Sequence, residues 1–342
     1  MSKKNRFYLV LVVILGAFVL THELSKISWQ SMKTEFSQLN WGWLLIAALC
    51  MLFYWGMEAR VIQVLSKKEN KDLSFAHVYR IPLIEHLFNS ITPFSTGGQP
   101  AQLVALSQAG VDPGVSGSIC LMKFVIYQVL IVVNFIGCVI FGFKIIETQL
   151  NTLSLFVILG FLIHVIVVVV LLMLMYWYPM TNKIVHFCLK FVKKFTTEER
   201  GLKMEQSILQ KMENFYEESK YIRSQKKLVL RVCVLTFFQL AFYYVVPYFI
   251  LLSLGIQNVS LFHVVIMHAF IILIISLFPV PGGAGGAEYT FTLLFGTFVL
   301  VKAKLVFAII LWRIITLYMG IVLGLVTLVF RPKSLRKKSI EN

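Results

Sequence analysis

Apolar positions in this chain do not alternate with polar ones at the period of a strand or a surface helix. They run on. Stretches at 7–22, 41–65, 115–142, 152–176, 228–255 and 305–330 carry few charges. About 20 apolar residues in a helix cross the ~30 Å hydrocarbon layer of a bilayer, so each stretch is expected to be a membrane span. Two more apolar stretches, 74–110 and 260–301, are broken by Pro and Gly near their middles. Helices stop at such residues, so each is expected to be a helical hairpin with a non-helical tip. The first stretch, with Lys3, Lys4 and Arg6 ahead of it, also has the look of a signal peptide. No small-residue cleavage site precedes His22, so a retained span is expected.

Positive charge sets the orientation. If each hairpin enters and leaves on one side, segments 1–6, 66–73, 111–114, 177–227 and 331–342 share a side. They hold 22 of the 32 Lys and Arg residues, and the opposite side holds five. If each hairpin crossed once instead, 177–227 with its 11 Lys and Arg residues would face outward, against the positive-inside rule. The expected fold is an all-α polytopic membrane protein of six full spans and two re-entrant helical hairpins, with N- and C-termini cytoplasmic.

Composition agrees with this. The 342 residues are 58% hydrophobic and 14% charged, with a mean hydropathy of +0.80; soluble domains carry about 25% charged residues. A soluble enzyme, a secreted disulfide scaffold and a nucleic-acid-binding domain are excluded. The net charge of +16 belongs to cytoplasmic loops facing anionic lipid. The five cysteines show no metal-ligand spacing and are expected to be reduced and structural. No metal, cofactor or catalytic residue is expected.

The domain reading follows the charges. Residues 1–176 form the first membrane repeat, with hairpin 74–110, plus the first span of the second. Residues 177–227 form a cytoplasmic amphipathic linker, 228–330 the rest of the second repeat, with hairpin 260–301, and 331–342 a basic cytoplasmic tail. In the linker, Ile184, Val185, Phe187, Phe191 and Val192 interleave with Lys183, Lys190, Lys193 and Lys194, a pattern suited to a helix lying on anionic lipid. A second helix is expected over 201–223.

The order of elements repeats with opposite sense. Each half reads span, span, hairpin, span, the first hairpin entering from inside and the second from outside, which is an inverted-topology repeat. Pro93-Phe94-Ser95-Thr96-Gly97-Gly98 and Pro281-Gly282-Gly283-Ala284-Gly285-Gly286 share P-x-x-x-G-G at the two tips. The half-helices leaving the tips near Gly98 and Gly286 are expected to aim their N-terminal amides at an anion such as phosphate. A packing role for both tips is the alternative.

Ionisable residues inside spans are functional candidates. Lys123 and Arg313 follow Gly97 and Gly285 by 26 and 28 residues. Each is expected to bind a lipid phosphate or to pair with Glu85 or Glu288. Gln99 and Gln102 follow the first tip and suit a polar headgroup, and His86 precedes it. The substrate-binding set is Glu85, Pro93, Gly97, Gly98, Gln99, Gln102, Lys123, Pro281, Gly282, Gly283, Gly285, Glu288 and Arg313. Glu58 and Arg60 are expected to snorkel to the interface. His164 is expected to be an interior histidine, with His263 and His268 on different helix faces.

Residues 88–100, from Phe88-Asn89-Ser90-Ile91-Thr92 through the first tip to Gln99-Pro100, residues 279–288, from Pro279-Val280 through the second tip to Ala287-Glu288, and then Arg313 together resemble a family signature. The family is the integral-membrane region of lysylphosphatidylglycerol synthetases, the multiple peptide resistance factors, with their stand-alone homologues. The likeness covers about 10–330. It implies translocation of a phospholipid or glycolipid across the bacterial cytoplasmic membrane. Lysylphosphatidylglycerol, or a related lipid in resistance to cationic antimicrobial peptides, is one substrate implied. The family's tRNA-using transferase domain is not expected, because 177–227 is too short and the chain ends a dozen residues after its last span. The competing readings are a membrane-embedded lipid-modifying transferase, the phosphatidylglycerol lysyltransferase of the family name, and a non-transporting subunit of a synthetase. Membrane lipids are the expected partners, with a homo-oligomer or a separately encoded lipid synthetase beside them.

Overall fold

A computed structural model describes residues 27–66, 73–193 and 198–329, together with residues 10, 21 and 25. The span expected over 7–22, residues 10 and 21 apart, and the basic tail 331–342 lie outside the described residues. Among the described residues every regular element is helical. Short α1 (Trp29–Ser37) opens on Ser28, whose hydroxyl caps the Ser31 amide at 3.1 Å. It is followed by α2 (Trp41–Ser66).

The first broken stretch is α3 (Phe75–Ile91), a 3-10 turn at Pro93–Ser95, and α4 (Gly98–Gln108) packed back on α3. The second is α10 (Leu261–Ile275), a 3-10 turn at Pro281–Gly283, and α11 (Gly286–Phe295). Between them lie α5 (Pro113–Tyr176), α6 (Tyr178–Lys193), α7 (Glu198–Ser224), α8 (Lys226–Tyr244) and α9 (Val246–Ser253). The chain closes with α12 (Lys302–Arg313), a π turn at Ile314–Tyr318, and α13 (Met319–Val329).

Five stretches are long and apolar enough to span a membrane: Trp41–Ser66, Pro113–Phe141, Leu155–Tyr176, Lys226–Ser253 and Lys302–Val329. They match five of the six expected spans. The backbone is locally helical from Pro113 to Tyr176, the connection expected at 143–151 included. That helix is not straight. Phe135 and Phe161 pack with tilted rings whose centroids are 4.8 Å apart, whereas 26 residues of straight helix would hold them ~39 Å apart. The chain therefore reverses between them, and α5 acts as two antiparallel arms. The second arm exposes Leu155, Ile158, Leu162, Ile166 and Val169 at helical spacing, a stripe that only an apolar surrounding suits.

The core gathers α2, α9, α10, α11 and α12 around Trp55, Phe270, Phe291, Phe295 and Trp312, all fully or nearly buried. His268 is satisfied within it: Trp312 Nε1 donates to its Nε2 at 3.1 Å, and its Nδ1 faces Tyr244 O at 3.2 Å. His263 is exposed on the other face. The linker helices α6 and α7 lie together through Tyr178 and Tyr216, stacked at 4.6 Å.

Small residues let the last span reach the first hairpin. A Cβ at Gly320 would fall 2.2 Å from His86 Cδ2, and one at Gly324 would fall 2.6 Å from Leu83 O. This G-x-x-x-G face of α13 lies against α3, the close approach such spacing permits. Gly324→Ala is expected to lower the melting temperature, since overpacking costs about 1–3 kcal/mol and exceeds the ~1 kcal/mol of helix propensity that Ala brings. Gly117→Ala, where a Cβ meets nothing within 4 Å, is expected to hold or raise it. Equal melting curves for the two variants would overturn this packing role.

Candidate functional site

The two tips meet. A Cβ at Gly282 would lie 3.6 Å from Ser90 O, and the turns of both hairpins are in contact. They share one backbone shape. Each begins with Pro and continues with two residues of positive φ: Phe94 (52°) and Ser95 (54°) in the first, Gly282 (64°) and Gly283 (62°) in the second. Glycine takes these angles freely, while other residues are strained by roughly 1–2 kcal/mol each. The first tip thus holds two strained residues where the second holds glycines. Such strain persists where surrounding structure over-determines it, often at functional sites.

Beside the tips lies a cavity of about 380 Å³, within the range of small-molecule sites. Phe94, Ser95 and Gln99 border it from the first hairpin, and Val280 and Gly283 from the second. Its walls mix Ile131, Ile272 and Phe278 with the polar edges of Tyr54, Tyr127 and His164. Its floor is ionic. Lys123 Nζ donates to both Glu58 Oε1 and Glu85 Oε2, and Gln239 Nε2 donates to Glu58 Oε2 at 3.1 Å. Glu58, Glu85 and Lys123 are 6, 8 and 7% exposed. Four elements converge here: α2, α3, the first arm of α5, and α8.

Of the expected binding set, Glu85, Gln99, Lys123 and Gly283 line the cavity. Arg313 sits behind the second tip, 5% exposed. Its Nε donates to Glu288 Oε1 at 2.6 Å, and its two terminal nitrogens donate to Gly282 O at 2.9 Å and Gly283 O at 3.3 Å. Arg313 and Glu288 thus brace the tip rather than face the cavity. Pro93 and Pro281 start the two turns, and Gly282 packs on Leu317. Gln102 is fully buried outside the lining, and neither of its amide atoms has a partner among the described residues.

The tip amides differ from expectation. Gly97 N donates to Thr92 Oγ1 at 2.8 Å, Gly98 N to Asn89 Oδ1 at 3.0 Å, and Gly285 N to Glu288 Oε2 at 2.7 Å. The chain's own acceptors take amides that the sequence reading aimed at an anion. Glu58 needs correction too. It does not snorkel but lies buried beside Lys123, because α8 and α5 cover its face of α2. Arg60 is exposed, bonded to Gln63 at 2.5 Å and set over the Phe75 ring at 5.2 Å. Glu58, Gln239, Tyr54, Tyr127 and Gln128 are among the cavity residues that spacing alone did not reveal.

Comparison with known proteins agrees with the resemblance. A curated "UPF0104 membrane protein" of Archaeoglobus fulgidus is 26% identical over 326 residues, covering 92% of this chain and 93% of its own length. The family model described as the lysylphosphatidylglycerol synthase TM region matches residues 7–324. A match over nearly the whole chain, broken hairpins and buried Arg313 included, places this protein in the lysylphosphatidylglycerol synthase transmembrane-region family.

Proposed function

We propose that this protein moves phospholipid or glycolipid between leaflets of the cytoplasmic membrane, the headgroup passing through the cavity beside the two tips. The observation that carries the reading is the cavity itself, which joins a charged, buried floor to two broken hairpins. Backbone that leaves the helix at membrane depth is tolerated where protein or a wet cavity satisfies it. The matched turns at Pro93–Ser95 and Pro281–Gly283 support hairpins that are re-entrant from opposite sides in an inverted repeat. With the Lys- and Arg-rich segments on the inner side, the N- and C-termini lie in the cytoplasm in this reading.

A headgroup in this cavity meets fixed dipoles and charges in place of water. Gln99 and Glu85 would receive its hydroxyl or amine donors. Its phosphate would share Lys123 with the two carboxylates, since neither buried cation is unpaired. Lysylphosphatidylglycerol is the first substrate to try, because its ammonium suits a floor with more carboxylate than cation.

The test is leaflet exchange of a tail-labelled lysylphosphatidylglycerol in vesicles of phosphatidylglycerol and phosphatidylethanolamine containing the purified protein. Wild-type protein is expected to speed exchange over protein-free vesicles. Ile272→Trp, which fills the cavity, is expected to slow it about tenfold, equivalent to roughly 1.4 kcal/mol of barrier. Leu300→Trp, at a position 85% exposed, is expected to leave the rate unchanged. Exchange at the same rate in the filled-cavity variant would overturn the cavity route. A modified lipid accumulating instead would favour the transferase reading.

A further inference from the structure

The cavity floor does not balance its charge. Glu58 and Glu85 face one cation, Lys123, so ionising both carboxyls leaves a formal charge of −1 in a buried cluster. The two carboxyl groups meet on a single donor, since Lys123 Nζ bonds both Glu58 Oε1 and Glu85 Oε2. Among the described residues no neighbour supplies a second permanent positive charge. From α2 the group that faces them is Tyr54; from α3, His86; from α5, Cys120, Tyr127 and, across the cavity, His164. From α8 it is uncharged Gln239, and from α10 uncharged Ile272, Ile275 and Ser276. Arg313 is spent on Glu288 and the second tip. A buried uncompensated charge costs several kcal/mol, and two carboxylates sharing one site keep one proton between them rather than both ionise. The cavity also holds an acceptor without a donor: Gln128 lines it with a buried, unpartnered Oε1.

We propose that Glu58 and Glu85 are a proton-binding site, holding between them one exchangeable proton that passes to cavity water as a headgroup enters. In the loaded state one carboxyl O–H donates to the other carboxylate, and the pair with Lys123 is neutral. When that O–H bond breaks, the proton leaves through water beside Gln128, and the floor carries −1 toward the ligand. Lipid movement is then linked to protons. This linkage rests on the lipid-transport reading, whereas the proton site stands on the cluster alone.

Two measurements separate them. The first is infrared difference spectroscopy of the purified full-length protein in detergent. A protonated-carboxyl band is expected to persist near neutral pH, where exposed carboxyls, with pKa about 4, are ionised. It is expected to vanish in Glu85→Gln and in Glu58→Gln, because either leaves a balanced carboxylate–lysine pair. A band absent from wild type, or kept in both variants, overturns the proton site. The second uses the same phosphatidylglycerol and phosphatidylethanolamine vesicles with an imposed gradient of about one pH unit, which is expected to skew the leaflet ratio about tenfold for one proton per lipid. Lipid exchange that ignores the gradient overturns the linkage and leaves transport standing. A band with no lipid exchange overturns transport and leaves the proton site standing.

Discussion

Lys123→Met is expected to destabilise the protein by about 3–5 kcal/mol, the usual cost of removing one partner from a buried ion pair. Methionine keeps most of the side-chain length and its apolar stem, so packing changes little and the loss is electrostatic. Lys123 is the only cation touching Glu58 and Glu85 among the described residues. Without it, two carboxyls at the meeting of α2, α3, α5 and α8 must take up protons or admit water, and those four elements form the cavity wall. The compensated variant separates charge from shape. Lys123→Met combined with Glu58→Gln and Glu85→Gln leaves neutral groups that hydrogen-bond one another, and replacing a whole buried network often costs little. It is expected to regain most of the melting temperature lost by the single variant, as read by tryptophan fluorescence in detergent. A single variant as stable as wild type would show that the cluster is hydrated and the floor is not dry.

Much of this architecture could be read from residue order, because length and apolarity decide what crosses a bilayer and Pro and Gly decide where a helix stops. Helices α3, α4, α10 and α11 fall inside the two stretches marked out by Pro93, Gly97, Pro281 and Gly285. The pairing of Arg313 with Glu288 was one of two roles expected for that arginine. Other features depended on contacts that no local pattern encodes. Helix α2 is apolar on nearly every face, so nothing in its periodicity says that Glu58 turns toward α5 and α8. The Thr92, Asn89 and Glu288 side chains that occupy the tip amides were in plain view. Their separations of five, nine and three residues gain meaning only once the turns are formed. Nor does Phe94-Ser95 announce two left-handed residues; only its counterpart Gly282-Gly283 does so.

Arg313→Ala is expected to have the second large effect, because one guanidinium serves three acceptors. It pairs with Glu288 and donates to the Gly282 and Gly283 carbonyls, while Glu288 itself caps the Gly285 amide. Removing it leaves a carboxylate 6% exposed without a cation and frees two carbonyls of a left-handed turn. A loss of about 3–5 kcal/mol is expected. Arg313→Lys divides that loss into parts. Lysine restores one charge to Glu288 but lacks the planar fork that reaches both carbonyls, so stability is expected to fall between those of the alanine variant and wild type. Transport is expected to be more sensitive than stability. Gly283 lines the cavity, and a turn no longer held from behind changes the wall of the proposed headgroup route. The lysine variant should therefore remain folded yet exchange lipid well below the wild-type rate in the vesicle assay. Equal stability and equal exchange for lysine and arginine would mean that the carbonyl contacts carry no weight. The π turn at Ile314–Tyr318, which follows directly after this arginine, would then have no role in presenting it to the tip.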